Sequence, residues 1–268
     1  MDNNIQSAIK TDLPVTCEYK VNANSLFKYT DKIEYLIEIL ENKAIVPLYN
    51  LEYLHYLSIP GIDSIVFPMV CFCDVPLIKA SYHAESYGQY GIGFYKDKIL
   101  KLDVSQPIHY IQSNSPLMKD FKQAFEASLN NNEKDSALKD YLLSTLLYMK
   151  PTVGFNDRTN NTKNLHDECE WRYIPDKKEF ENNDLDLILS GTKSNNKSKK
   201  EYLTILKKYP NTWLRFDWNF VKYIIVPDEL EMNKIIDVIL KLSGISDKDR
   251  YKLITKIVIL KNVKEDFL

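Results

Sequence analysis

Apolar residues along this chain change their spacing several times, and each spacing predicts a different element. Leu26–Thr30 has short-strand character and ends at Asp31, a good N-cap. Ile33, Leu36, Ile37 and Leu40 recur at helical spacing, which predicts an amphipathic helix ending near Asn42. Ala44–Pro47 reads as the start of another strand, and the tyrosine-rich segment 49–58 fits a helix or a loop. Ser64–Cys73 is an apolar run broken by Pro68, so its second half is expected to be a buried strand. A short helix over Leu77–Tyr87 precedes a strand, Tyr90–Tyr95, whose glycines suggest close approach by a ligand or another backbone. Ile99–Leu102 and Ile108–Ile111 look like arms of a hairpin or bulge around Pro107.

The middle of the chain is helical, over roughly 116–129 and then Lys134–Met149, with Pro151 as the stop. Residues 155–166 form a polar loop, and Gly191–Lys200 a basic one. Glu201–Tyr209 reads as a helix. Val221–Val226 is a strong strand stopped by Pro227; Asp228 caps a helix to about Leu242. A helix from Ser246 and a strand over Ile257–Leu260 follow.

Bulk properties narrow the class. The chain has 268 residues, 44% apolar and 27% charged, which suits a globular protein that needs no disulfide or metal for stability. A formal net charge of −2 argues against nucleic-acid binding through overall charge, although a local basic groove stays compatible with it. Cys17, Cys71, Cys73 and Cys169 do not form a disulfide framework. The N-terminus carries no secretory pattern, and no apolar run suggests a membrane span, so a cytoplasmic location is expected.

Chemistry concentrates in two islands, Val70–Pro76 (VCFCDVP) with Ser81–Phe94 (SYHAESYGQYGIGF), and His166–Tyr173 (HDECEWRY). If Asp167–Arg172 is a strand, Glu168, Glu170 and Arg172 share one face. Two carboxylates and a guanidinium so placed can stabilise a sugar cation and polarise an attacking group, or form an ion-pair ladder on a solvent face. Cys71, Cys73, Cys169, His83 and His166 match no common zinc-finger spacing. Gly88-x-x-Gly-x-Gly93 opens no helix and lacks the Walker lysine, so its glycines are read as thinning a cleft floor. A metal-dependent nuclease would have only Asp74, Glu168 and Glu170 to call on.

In order, Phe27–Thr30 before an amphipathic helix, Pro68–Pro76, His83 with Tyr87–Phe94, and Glu168-x-Glu-Trp-Arg172 resemble the AbiGi family of abortive-infection proteins. Bacteria use these against phage, and they are commonly labelled antitoxins. The resemblance runs over most of residues 26–226. The same order resembles, more distantly, mono-ADP-ribosyltransferases. That resemblance implies an α+β fold of mixed and antiparallel sheets around a cleft. An arm (1–24) would precede a single domain (25–268) with a helical insertion at about 116–150 and C-terminal α/β elements. It also implies NAD as substrate and a macromolecular acceptor, nucleic acid or protein.

Under that resemblance Glu170 is the catalytic carboxylate, on the ribose 2′-hydroxyl, and Glu168 faces the acceptor. Tyr29 or Thr30 sits near the ribose or nicotinamide amide, and Cys73, Asp74, Tyr87 and Tyr90 line the nicotinamide pocket. Lys28 stands where the scheme has Arg or His, and a point charge cannot reproduce bidentate diphosphate binding; Arg172 would supply a guanidinium from the other side. The antitoxin label implies the other class, a catalytically silent module that binds a partner toxin or a phage component.

Overall fold

The computed structural model describes residues 23–130, 136–156, 161–191 and 199–267. Most of the N-terminal arm, Cys17 and residues 192–198 of the basic loop lie outside the described residues.

Strand β1 (Ser25–Thr30) leads into helix α1 (Ile33–Asn42), which buries Leu36, Ile39 and Leu40 as the spacing requires. The cap position is Lys32 rather than Asp31, and no side chain bonds the helix start. The tyrosine-rich segment is a strand: β2 (Ala44–Ile45) is followed by β3 (Leu48–Tyr53) and a 3-10 turn, His55–Leu57. β4 (Ser64–Cys73) is one continuous strand through Pro68. Then come α2 (Ala80–Tyr87), β5 (Tyr90–Tyr95) and α3 (Lys96–Leu100). Ile99 is therefore helical and buried, not an arm of a hairpin.

β6 (Ser105–Pro107) and β7 (His109–Ile111) pair with different partners instead of with each other. The helical insertion is α4 (Pro116–Asn130) and α5 (Ser136–Leu147), closed by β8 (Met149–Pro151) in parallel register with β7. The expected polar loop contains a hairpin, β9 (Val153–Asn156) and β10 (Asn161–Asn164). β11 (Glu170–Tyr173), α6 (Lys177–Glu181), β12 (Leu189–Ser190), α7 (Lys199–Leu206) and β13 (Leu214–Arg215) follow. The C-terminal part is β14 (Val221–Val226), α8 (Glu229–Lys241), α9 (Asp247–Ile254), β15 (Ile257–Ile259) and α10 (Leu260–Phe267). Asp228 caps α8 by accepting from Glu231 N, as its position suggested, and Ser246 caps α9 by accepting from Asp249 N.

Among the described residues the main sheet runs β15-β14-β5-β1-β4-β11-β6, with β3 and β12 branching from β4. It is antiparallel except for the β14–β15 pair. β4 forks: its first half carries β3 and β12, and its second half carries β11 and, at Cys73, β1. Pro68 falls between the stretches that β12 and β11 cover, so its missing N–H breaks no pairing on that edge. One face of the sheet (Leu26, Val70, Phe72, Ile92, Phe94, Ile224) packs on α1 and α8. The other (Phe27, Tyr29, Cys73, Ile225) packs on α2 and α10, while Phe67 and Met69 carry the helical insertion.

Gly91 and Gly93 lie opposite Tyr29 and Phe27. A Cβ on Gly93 would come within 2.7 Å of the Phe27 ring, which itself stacks on Tyr223 with centroids 5.8 Å apart. The close approach at Gly93, expected of a ligand or another backbone, is thus made by an aromatic side chain. Gly93→Ala should lower stability by about 1–3 kcal/mol, the usual range for overpacking. A urea midpoint indistinguishable from wild type would show that these rings are free to move.

Candidate functional site

Where β1 and β4 diverge beyond the Phe27–Cys73 pair, a cleft of about 270 Å³ opens between them and β3. Its wall comes from Phe27, Lys28 and Tyr29 of β1, Asn50 and Glu52 of β3, and Met69, Cys71 and Cys73 of β4. His83 and Tyr87 reach in from α2, Lys150 from β8, and Glu168 and Glu170 close one end. His83 stacks on Tyr87 (5.9 Å between centroids) and lies 6.4 Å from the Tyr29 ring.

The two glutamates do not share a strand. Glu168 ends a 3-10 turn, Leu165–Glu168, and Cys169 adopts a left-handed backbone (φ 43°) before β11 begins at Glu170. The turn nevertheless brings both carboxylates to one ammonium. Lys150 Nζ lies 2.7 Å from Glu170 Oε2 and 3.3 Å from Glu168 Oε2. Glu168 Oε1 is 2.8 Å from Lys163 Nζ and also accepts from the Tyr87 hydroxyl. Glu170 Oε1 accepts from Arg172 Nε at 2.6 Å.

Arg172, with none of its side chain exposed, donates Nη1 to Leu147 O at 2.6 Å and places Nη2 3.0 Å from Glu52. Glu170 is further fixed through its backbone: its N–H donates to Tyr110 Oη (2.8 Å) and its carbonyl accepts from Ile108 N (3.1 Å). The charged face is therefore buried, not a ladder on a solvent face.

Burial opposes ionisation of Glu168 and Glu170, and the facing cations more than offset it. Lys150, with Lys163 and Tyr87 hydrogen bonds, holds Glu168 below the usual carboxylate range. Arg172 and Lys150 do the same for Glu170. Carboxylates depressed in the folded state contribute stability above the unfolded value of about 4.3 and lose it as pH falls through their folded values. Stability should therefore fall steeply below about pH 4, and the slope should flatten when Glu168 and Glu170 are both Gln; an unchanged slope would contradict the assignment. Burial pushes His83 down despite the nearby Glu168, so it is neutral near pH 7.

Of the residues predicted for the site, Lys28, Tyr29, Cys73, Tyr87, Glu168 and Glu170 line the cleft. Four do not. Arg172 lies buried behind Glu170. Tyr90 packs with the α1–α8 core and is pushed up to about 12 by burial and by Glu231. Thr30 pairs with Tyr90 at the end of β1, and its carbonyl crowds Gly88, where a Cβ would come within 2.2 Å. Asp74 forms a buried ion pair with Lys96, which sits 5.1 Å over the Trp171 ring. Alternation explains this: Cys73 and Glu170 face the cleft, so Asp74 and Trp171 face away. Lys150, Lys163, Glu52, Tyr110 and His83 also belong to the site and were not anticipated. Burial raises the Cys71 and Cys73 thiols, which makes them poor nucleophiles. Among the described residues no group of three or more His, Cys, Asp or Glu side chains is placed to hold a metal ion.

Comparison with known proteins matches residues 43–227 to a family described as "Putative abortive phage resistance protein AbiGi, antitoxin". That match includes both chemical islands and leaves β1 outside it. The chain is also similar to "Abortive phage resistance protein AbiGi" of Lactococcus lactis subsp. cremoris, with 30% identity over 252 residues, covering 84% of this chain and 100% of the relative. No solved structure matches significantly. Among the described residues no helix is long and apolar enough to cross a membrane. A chain matched over most of its length by both comparisons belongs to the AbiGi family of abortive phage resistance proteins.

Proposed function

We propose that this protein acts against phage as an NAD-dependent ADP-ribosyltransferase that modifies a nucleic acid or a protein. The observation that supports this reading most is the convergence of two ionised carboxylates, Glu168 and Glu170, at the end of an aromatic-walled cleft. Tyr29, His83 and Tyr87 offer ring faces for a nicotinamide, and Lys28 a point charge for phosphate. In the transfer, the bond from ribose C1′ to the nicotinamide nitrogen breaks and its electron pair leaves with the neutral ring. The acceptor oxygen or nitrogen bonds C1′ and releases its proton to Glu168.

Positive charge on the ribose is then stabilised by Glu170. A carboxylate held ionised suits that electrostatic role and not the role of a general acid. Glu170 has about four lone-pair positions and spends two on Lys150 and Arg172, so capacity remains for a ribose hydroxyl. The test is incubation of purified protein with adenylate-labelled NAD⁺ and bacterial lysate, before and after nuclease or protease. Label entering either macromolecule supports the reading, and its absence in lysates of both infected and uninfected cells would overturn it.

A second reading, a silent antitoxin that binds a partner toxin, is favoured by the family's description and by the protein donors already on all four carboxylate oxygens. It predicts co-purification of a toxin encoded beside this chain and no NAD⁺ turnover.

A further inference from the structure

We infer that Lys150 is a built-in occupant of the cleft's acidic end, an autoinhibitory counter-ion that a cationic ring ligand must displace. The inference deepens the transferase reading and rests on it for the use of the cleft. Lys150 Nζ sits between Glu168 Oε2 and Glu170 Oε2 at 3.3 and 2.7 Å, on the cleft-facing side, where a ligand's positive charge would be neutralised. Neither carboxylate depends on it alone. Glu168 also has Lys163 and Tyr87, and Glu170 also has Arg172.

The other two cations differ from Lys150. Arg172 is locked from behind by Leu147 O and Glu52, and Lys163 stacks over the Tyr87 ring at 5.1 Å. Lys150 ends in an ammonium on a flexible four-carbon stem and keeps 17% of its side chain exposed, lining the cleft.

A second feature also points to a ligand. Tyr29 is 6% exposed, and its hydroxyl has no hydrogen-bond partner among the described residues; neither has Nε2 of His83 beside it. Buried polar groups are rarely left unbonded. The ligand class that fits both is an aromatic cation carrying an amide or hydroxyl, with its charge on Glu168 and Glu170 and its polar group on Tyr29 and His83.

The test compares 1-methylnicotinamide, a permanent cation, with neutral nicotinamide on wild type and Lys150→Met by titration calorimetry. Removing a competing internal occupant raises apparent affinity by the inverse of the competent fraction, so the variant should bind the cation about tenfold more tightly or better. Nicotinamide affinity should change much less than that, and an equal gain for both ligands would overturn the inference. Equal or weaker cation binding by the variant would overturn the inference.

Should Lys150→Met fail to fold, wild type still decides. Acetylation of Lys150, followed by mass spectrometry, should rise when 1-methylnicotinamide is added and stay constant with nicotinamide. No rise would overturn the inference. Neither probe can donate ADP-ribose, so failure of NAD⁺ turnover leaves these outcomes readable, and their failure leaves transfer open.

Discussion

Arg172→Met should destabilise the protein by about 3–5 kcal/mol, the cost of leaving buried charge uncompensated. The guanidinium has no exposed surface, hydrogen-bonds Glu170 and Leu147 O, and pairs by charge with Glu52. Methionine preserves much of the packing against Phe67, whose ring lies 5.8 Å from the guanidinium carbon, so the loss is electrostatic rather than a cavity. Glu170 would keep Lys150, but Glu52 would lose its ion pair with Arg172. Lysine at this position should recover only part of the loss, because a point charge cannot serve Glu170, Leu147 O and Glu52 together. Urea denaturation at pH 7 measures the effect. A loss below about 1 kcal/mol, the scale of exposed pairs, would mean that the network is solvated.

Much of the fold was legible because its elements follow simple periods. The α1 stripe, the insertion helices, the Asp228 cap, the helix starting at Ser246 and the β14 strand all follow from local spacing. What was not legible depended on pairing between distant segments. Pro68 marks a break to a local reading, yet β12 and β11 leave a gap beside it. Ile99 looks like strand, but α3 turns it into the core beside β5.

The site shows the same division. That Glu170 and Arg172 share a face was readable from period two, and the Nε–Oε1 bond realises it. That Tyr90 would miss the cleft was not readable, because it follows from the β1–β5 register, which sets Gly91 and Gly93 opposite Tyr29 and Phe27. The left-handed Cys169 that moves Glu168 off the strand has no local signal, because glycine or asparagine is the usual occupant of such a position. Lys150 reads as a surface lysine before a proline. It becomes a site residue only because parallel pairing of β7 and β8 carries it to carboxylates 18 and 20 residues later.

The measurement that bears most directly on the transferase account is nicotinamide release from NAD⁺ by wild type and Glu170→Gln in acceptor-containing lysate. Glutamine keeps the shape and removes the charge that would stabilise the ribosyl cation, so the rate should fall about 10²- to 10³-fold, the range for losing one such electrostatic contact. Because Glu170 also holds Arg172 and Lys150, the variant should lose about 1–3 kcal/mol of stability as well. Rates must therefore be taken well below both melting temperatures and per folded molecule. A rapid release by wild type that collapses in the folded variant is the expected result. Equal rates in the two proteins, or no release by either while phage resistance persists, would contradict the account and leave the cleft as a binding surface.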